Sequence, residues 1–215
     1  MTVLNNMQVA AKDLFTMGPI VPVLVINKVD DALPIAEALL NAGIKVLEVT
    51  LRTPSALDVI NKIATELPEA VVGSGTVTNK ELLQQSYDAG AKFAISPGLT
   101  EDLLKAGNER KISLIPGISS ISEMMDAIDH GYDHLKFFPA EASGGVKAIK
   151  SIAGPFPDVT FCPTGGININ NIRDYLALPN VACCGGSWLV SDKIVEEKNW
   201  SEITKLATQA LAHVK

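Results

Sequence analysis

The chain has 215 residues, 18 Lys plus Arg against 24 Asp plus Glu, a formal net charge of −6, and 47% apolar residues. That length suffices for one well-buried domain spanning residues 1–215, and mild acidity without a long run of one sign argues against nucleic acid or an anionic membrane as the main partner. No stretch reaches the apolar length of a transmembrane helix, and Met1 to Asn6 lacks an apolar signal core, so the expectation is a cytoplasmic protein.

Short apolar β-like runs alternate along the chain with patterns of helical period. Asn6–Thr16 reads as an opening helix able to close one end of a barrel. Strand Ile20–Ile26 then precedes helix Asp31–Asn41, and strand Lys45–Leu51 precedes helix Pro54–Leu67, which Thr53-Pro54 would start. Strand Ala70–Thr76 precedes helix Asn79–Ala89, and strand Phe93–Pro97 precedes helix Thr100–Glu109. Strand Ser113–Gly117 precedes helix Ser120–His130, with Asn79 and Ser120 as caps of the preferred type. Strand His134–Pro139 precedes helix Gly145–Ala153, strand Thr160–Thr164 precedes helix Asn168–Ala177, and strand Ala182–Gly186 precedes helix Ser201–Val214. Eight strands each followed by a helix predict an α/β fold, a (β/α)8 TIM barrel with an extra N-terminal helix. A doubly wound open sheet is the rival, and the lack of a GxGxxG turn after the first strand weighs against it.

The three cysteines, Cys162, Cys183 and Cys184, are odd in number with two adjacent, so buried reduced thiols are expected rather than a disulfide framework. The three histidines, His130, His134 and His213, show no metal-ligand spacing, and His134 reads as a strand-start residue. Met124 and Met125 read as core of the fifth helix, Trp188 and Trp200 as packing residues, and Glu196, Glu197 and Lys198 as a solvated edge.

The polar residues inside greasy strands carry the chemistry. Lys136 stands in His134-Leu135-Lys136-Phe137-Phe138-Pro139-Ala140. Burial disfavours charge on an amine, and a neutral amine is a nucleophile that forms a Schiff base with a ketone or aldehyde. A lysine whose stem crosses the wall and whose head reaches water is the structural explanation. In Lys45–Arg52 a period of two puts Leu47, Val49 and Leu51 toward the helices and Glu48, Thr50 and Arg52 toward the barrel interior. An internal Glu48–Arg52 ion pair would explain two of these without function. Thr76 and Ser96-Pro97-Gly98 end the third and fourth strands. Thr164-Gly165-Gly166 and Gly185-Gly186-Ser187 end the last two, where glycines let backbone N–H groups approach an anion and where this fold often binds phosphate. Glu141 to Gly145 either lines the mouth or forms a turn.

Taken together, Val46–Thr53, Gly73–Val77, Phe93–Gly98, Leu114–Gly117, Lys136–Glu141, Phe161–Ile167 and Gly185–Trp188 resemble the 2-keto-3-deoxy-6-phosphogluconate (KDPG) aldolase / 4-hydroxy-2-oxoglutarate aldolase family, with the similarity running from about Gly18 to the final helix. The resemblance implies a class I Schiff-base aldolase, a homotrimer with no metal or organic cofactor. It implies Lys136 as the Schiff-base lysine and Glu48 as the general acid/base. It assigns Arg52 and Thr76 to the pyruvate carboxylate, Pro97 and Phe138 to the walls of that pocket, and Thr164, Gly165, Gly166 and Ser187 to the phosphate. The implied partners are small molecules: a 2-keto-3-deoxy sugar acid phosphate, pyruvate and glyceraldehyde 3-phosphate. The implied setting is Entner–Doudoroff sugar-acid breakdown. The rival readings are an aldolase for the C4-epimeric 6-phosphogalactonate substrate, a sugar-phosphate isomerase or decarboxylase barrel with Glu48 as base, and a non-catalytic metabolite-binding barrel.

Overall fold

The computed structural model describes residues 10–110 and 112–214. The start of the expected opening helix, residues 6–9, lies outside them, and the remainder forms helix α1, Ala11–Thr16. The elements then run β1 (Ile20–Leu24), a 3-10 turn (Val29–Asp31), α2 (Ala32–Asn41), β2 (Val46–Thr50), α3 (Ala56–Glu66), β3 (Val71–Gly75), α4 (Lys80–Asp88), β4 (Phe93–Ile95) and α5 (Glu101–Glu109). There follow β5 (Ser113–Ile115), β6 (Gly117–Ile118), α6 (Ile121–Asp129), β7 (His134–Phe137), α7 (Gly145–Ile152), β8 (Thr160–Pro163), α8 (Ile172–Leu176), β9 (Cys184–Gly186), α9 (Asp192–Glu196) and α10 (Trp200–His213).

The pairing of these strands corrects the expected (β/α)8 barrel. There is no single closed eight-stranded sheet among the described residues. A six-stranded parallel half-barrel sheet has the order β5-β4-β3-β2-β1-β9, and a separate three-stranded parallel sheet has the order β6-β7-β8. Prolines mark both seams. The expected strand Ser113–Gly117 breaks at Pro116, which has no N–H for the ladder. Before it β5 pairs with β4, and after it β6 pairs with β7. At the other seam β8 ends on Pro163, and only isolated bridges, Phe161 to Val181 and Thr164 to Gly185, reach the last strand. Three steps on one side face four on the other, the offset of a bulge.

Two apolar clusters hold the layers. The larger packs strand residues such as Leu47, Val49, Leu135 and Phe137 against the helices. The smaller lies on the opposite face of the strands, toward their amino-terminal ends, where Val21, Val46, Phe93, Ile115, Cys162 and Cys183 meet Leu14 and Phe15 of α1. All three cysteines are buried and unpaired, and the Cys162 thiol beside it, together with burial, pushes the Cys183 thiol up.

Local signals explain several helix starts. Asn79 and Thr100 accept the N–H groups of Leu82 and Leu103, and Ser120 forms a capping box with Glu123. Thr53 does not start α3, which begins at Ala56. Its hydroxyl instead donates to the Ile26 carbonyl at 2.8 Å and ties the loop to the end of the first strand segment. Met124 is core, but Met125, about 100° further round α6, is 52% exposed. The Ser74 hydroxyl is fully buried with no hydrogen-bond partner, which disfavours the folded state. Ser74→Ala is therefore expected to raise unfolding free energy by about 1 kcal/mol, read by urea denaturation; a loss of stability would show that the hydroxyl is satisfied.

Candidate active site

The alternation of β7 decides where its lysine points. Leu135 and Phe137 belong to the cluster under the helices, whereas His134 stacks edge-on against Phe15 of α1, centroids 5.3 Å apart. Lys136 shares the face of His134, so it enters the interior, where it is only 5% exposed. On β2 the same face reads Val46, Glu48, Thr50 from the amino to the carboxyl end, and Glu48 is 1% exposed. The Lys136 Nζ donates to Glu48 Oε1 at 3.1 Å, joining the two sheets, and sits 5.3 Å from the centroid of the Phe138 ring. Glu48 thus pairs with Lys136 and not with Arg52 among the described residues, and the lysine side chain is largely shielded from solvent. Thr50 is satisfied separately by donating to the Leu24 carbonyl at 2.9 Å.

Small residues make room for this pair. A Cβ on Gly75 would lie 2.2 Å from Glu48 Oε1, so only glycine allows the carboxylate its place beside β3. The next residue, Thr76, has φ +61°, a left-handed conformation unfavourable for a β-branched side chain. It is held there facing Arg52, whose Nε donates to Thr76 Oγ1 at 3.3 Å. Pro97 packs its backbone against Gly117, the register partner of Lys136, where a Cβ would come within 2.5 Å of it.

Arg52 and Phe138 open onto a cavity of about 580 Å³ at the carboxyl ends of the strands. Thr164, Gly165, Gly166 and Ser187 line it as well, so six of the ten expected residues share one wall. Lys136, Glu48, Thr76 and Pro97 do not line it: Lys136 and Glu48 are buried, whereas Thr76 and Pro97 are half-buried. Gly165 and Gly166 both take positive φ, +101° and +78°, and Gly185 leaves space for the Thr164 hydroxyl, which a Cβ would meet at 2.2 Å. Val190, Ser191 and Asp192 also line the cavity, from a stretch whose sequence carries no chemical signature. Glu141 turns out to lie outside it. Its carboxylate accepts from the Tyr175 hydroxyl, whose titration burial and that carboxylate push well above the ordinary phenol range. No group of three or more His, Cys, Asp or Glu able to hold a metal exists among the described residues.

A parallel α/β scaffold with a cavity at its strand ends, and a buried amine–carboxylate pair whose amine lies beside the lining residue Phe138, has the layout of an enzyme that handles small carbonyl compounds. Comparison with known proteins narrows this. Residues 11–206 match the family model described as "Aldolase: KDPG and KHG aldolase". A 2-dehydro-3-deoxy-phosphogluconate aldolase of Pseudoalteromonas atlantica is 63% identical, covering 97% of both chains. A KHG/KDPG aldolase of Escherichia coli K12 is 55% identical over 99% of this chain and 100% of that protein. A crystal structure of a Legionella pneumophila KDPG aldolase, with pyruvate captured as a covalent carbinolamine intermediate, is 49% identical with a TM-score of 0.93, covering 94% of this chain and 98% of that one. The chain belongs to the KDPG and KHG aldolase family, and it is a class I aldolase, a carbon–carbon lyase.

Gly75→Ala should drive the Glu48 carboxylate off the amine and lower turnover by on the order of 10²-fold, the scale of lost acid–base help. Steady-state kinetics with a melting curve on the folded variant would check it, and normal turnover would mean that the pair's geometry does not matter.

Proposed function

We propose that this aldolase cleaves KDPG reversibly to pyruvate and D-glyceraldehyde 3-phosphate, and 4-hydroxy-2-oxoglutarate to pyruvate and glyoxylate, with Lys136 as the Schiff-base residue and Glu48 as the proton shuttle. The observation that carries the reading is the buried 3.1 Å contact between Lys136 and Glu48. The contact lets the carboxylate take a proton from the amine, which then attacks the C2 carbonyl carbon. Two electrons move onto the carbonyl oxygen, which takes a proton from the attacking nitrogen to give a carbinolamine; Glu48 then returns its proton to that hydroxyl, water leaves, and an iminium remains with Glu48 ionised again. Glu48, directly or through water, removes the 4-hydroxyl proton. The C3–C4 bond breaks, its electrons flow into the iminium, and the aldehyde leaves. Protonation of the enamine at C3 and hydrolysis release pyruvate and restore the amine.

Arg52 suits the substrate carboxylate because a guanidinium fork binds it bidentately. Thr76, fixed beside it, supplies a hydroxyl to the same group, and Pro97 and Phe138 form the apolar wall. Thr164, Gly165, Gly166 and Ser187 receive the phosphate. The same proposal includes a cytoplasmic location, supported by three unpaired buried thiols. Among the described residues no helix is long and apolar enough to cross a membrane.

Pyruvate plus borohydride is expected to add mass to the Lys136 peptide, and Lys136→Ala is expected to lose both the adduct and cleavage. Glu48→Gln should still form some adduct while turning over on the order of 10²- to 10⁴-fold more slowly. Labelling at another lysine, or normal turnover of the glutamine variant, overturns the assignment; an absent adduct with intact cleavage would remove Lys136 as the covalent residue. The homotrimer is also proposed, supported by an apolar stripe on α6, Ile121, Met125 and Ile128, exposed at 43%, 52% and 36% with helical spacing. Sedimentation should give three times the chain mass and a smaller species for Met125→Glu; a monomeric wild type would remove the trimer.

A further inference from the structure

The loop Thr164–Asn168 is held from behind at successive carbonyls. The Gly165 carbonyl accepts the Glu141 N–H at 3.1 Å. The Gly166 carbonyl accepts two side-chain amides, Asn171 Nδ2 at 3.1 Å and Asn168 Nδ2 at 3.3 Å. The asparagines are themselves interlocked, since Asn168 N–H donates to Asn171 Oδ1 at 2.8 Å and Asn170 N–H to Asn168 Oδ1 at 2.9 Å. A trans peptide is planar with its N–H opposite its C=O. Tethering a carbonyl on one side therefore aims the following N–H at the other. Neither Glu141 nor the two asparagines line the cavity, while Gly166 and Ile167 do. The N–H groups of Gly166 and Ile167 have no hydrogen-bond partner among the described residues.

We propose that Asn171, assisted by Asn168, is a positioning residue for anion binding: by fixing the Gly166 carbonyl away from the cavity it turns the Ile167 N–H, and with it the Gly165–Gly166 loop, toward the phosphate end of the substrate. The inference rests on the aldolase reading above and deepens it. Gly165 and Gly166 both take left-handed conformations, so the loop is free to rotate its peptides unless something outside it fixes them. Asn171 supplies that constraint from the start of α8. Oriented N–H groups around an anion bind it only when they converge. The ligand class is a phosphate monoester; a substrate ending in a carboxylate close to the reacting carbons does not reach this loop.

The test uses the full chain, with KDPG, 4-hydroxy-2-oxoglutarate and inorganic phosphate as a competing anion. For Asn171→Ala the KM for KDPG should rise about tenfold, the scale of one charge-assisted hydrogen bond. The phosphate inhibition constant should rise in parallel, kcat should fall less than KM rises, and the shift with 4-hydroxy-2-oxoglutarate should be at least fivefold smaller. Asn168→Ala removes the longer of the two tethers and should shift the same quantities in the same direction but less, which keeps the idea testable should the first variant fold poorly. Equal effects on both substrates, or an unchanged phosphate inhibition constant in a folded variant, would overturn the positioning role alone. A wild-type enzyme that neither favours the phosphorylated substrate nor is inhibited by phosphate would overturn the anion site and this inference together.

Discussion

One contact between two sheets governs this molecule. Lys136 on β7 and Glu48 on β2 come from strands that share no backbone ladder, yet they meet at 3.1 Å in an interior that excludes almost all water. Each ion alone would be costly to bury, by several kcal/mol after relaxation, and removing one partner from such a pair destabilises by about 3–5 kcal/mol. The pair is therefore poor evidence for stability and good evidence for purpose. A well-packed apolar pair would hold two sheets together as well or better. What apolar side chains lack is a proton to exchange, and exchange is the role proposed for this pair.

The surroundings are arranged to tolerate it. Gly75 withdraws its side chain so that Glu48 has room, and Gly185 does the same for Thr164. Thr76 occupies a backbone region that costs about 1–3 kcal/mol, and it sits against the one arginine that lines the cavity. The strain at Thr76 and the close approach at Gly75 fall at the carboxyl end of β3, and the buried charge lies inside β2 and β7. The amino-terminal ends carry the opposite character, with ordinary apolar packing around Leu14 and Phe15.

Much of the site was legible in the chain because strands write their faces with a period of two. Leu47 and Val49 against Glu48, and Leu135 and Phe137 against Lys136, tell from the sequence alone which side chains share the interior. The closed eight-stranded barrel was not borne out, because counting apolar runs says how many strands there are and not which of them pair. Pro116 and Pro163 were visible as residues, but the seams they mark depend on the neighbouring strands. The role of Asn171 was also hidden. Asn168–Asn171 reads as turn chemistry, and the sequence predicted a helix from Asn168 that begins four residues later at Ile172. Asn168 and Asn171 hold the Gly166 carbonyl instead, a local task with no periodic signature. Met125 is exposed for a simpler reason: it lies about 100° round α6 from Met124, on the face shared with the exposed Ile121 and Ile128.

The apolar plug formed by Leu14 and Phe15 has a kinetic meaning. It gives the interior a floor, so the cavity at the strand ends serves as both entrance and exit. With Lys136 as the proposed covalent anchor, the three-carbon fragment is the inner cargo and the aldehyde the outer one. Departure is then last in, first out: the aldehyde must clear the passage before the keto acid can follow, and in the synthetic direction the keto acid must be loaded first. A compulsory sequence of arrivals thus follows from the proposed covalent anchor, and the plugged end leaves the passage at the strand ends to both fragments.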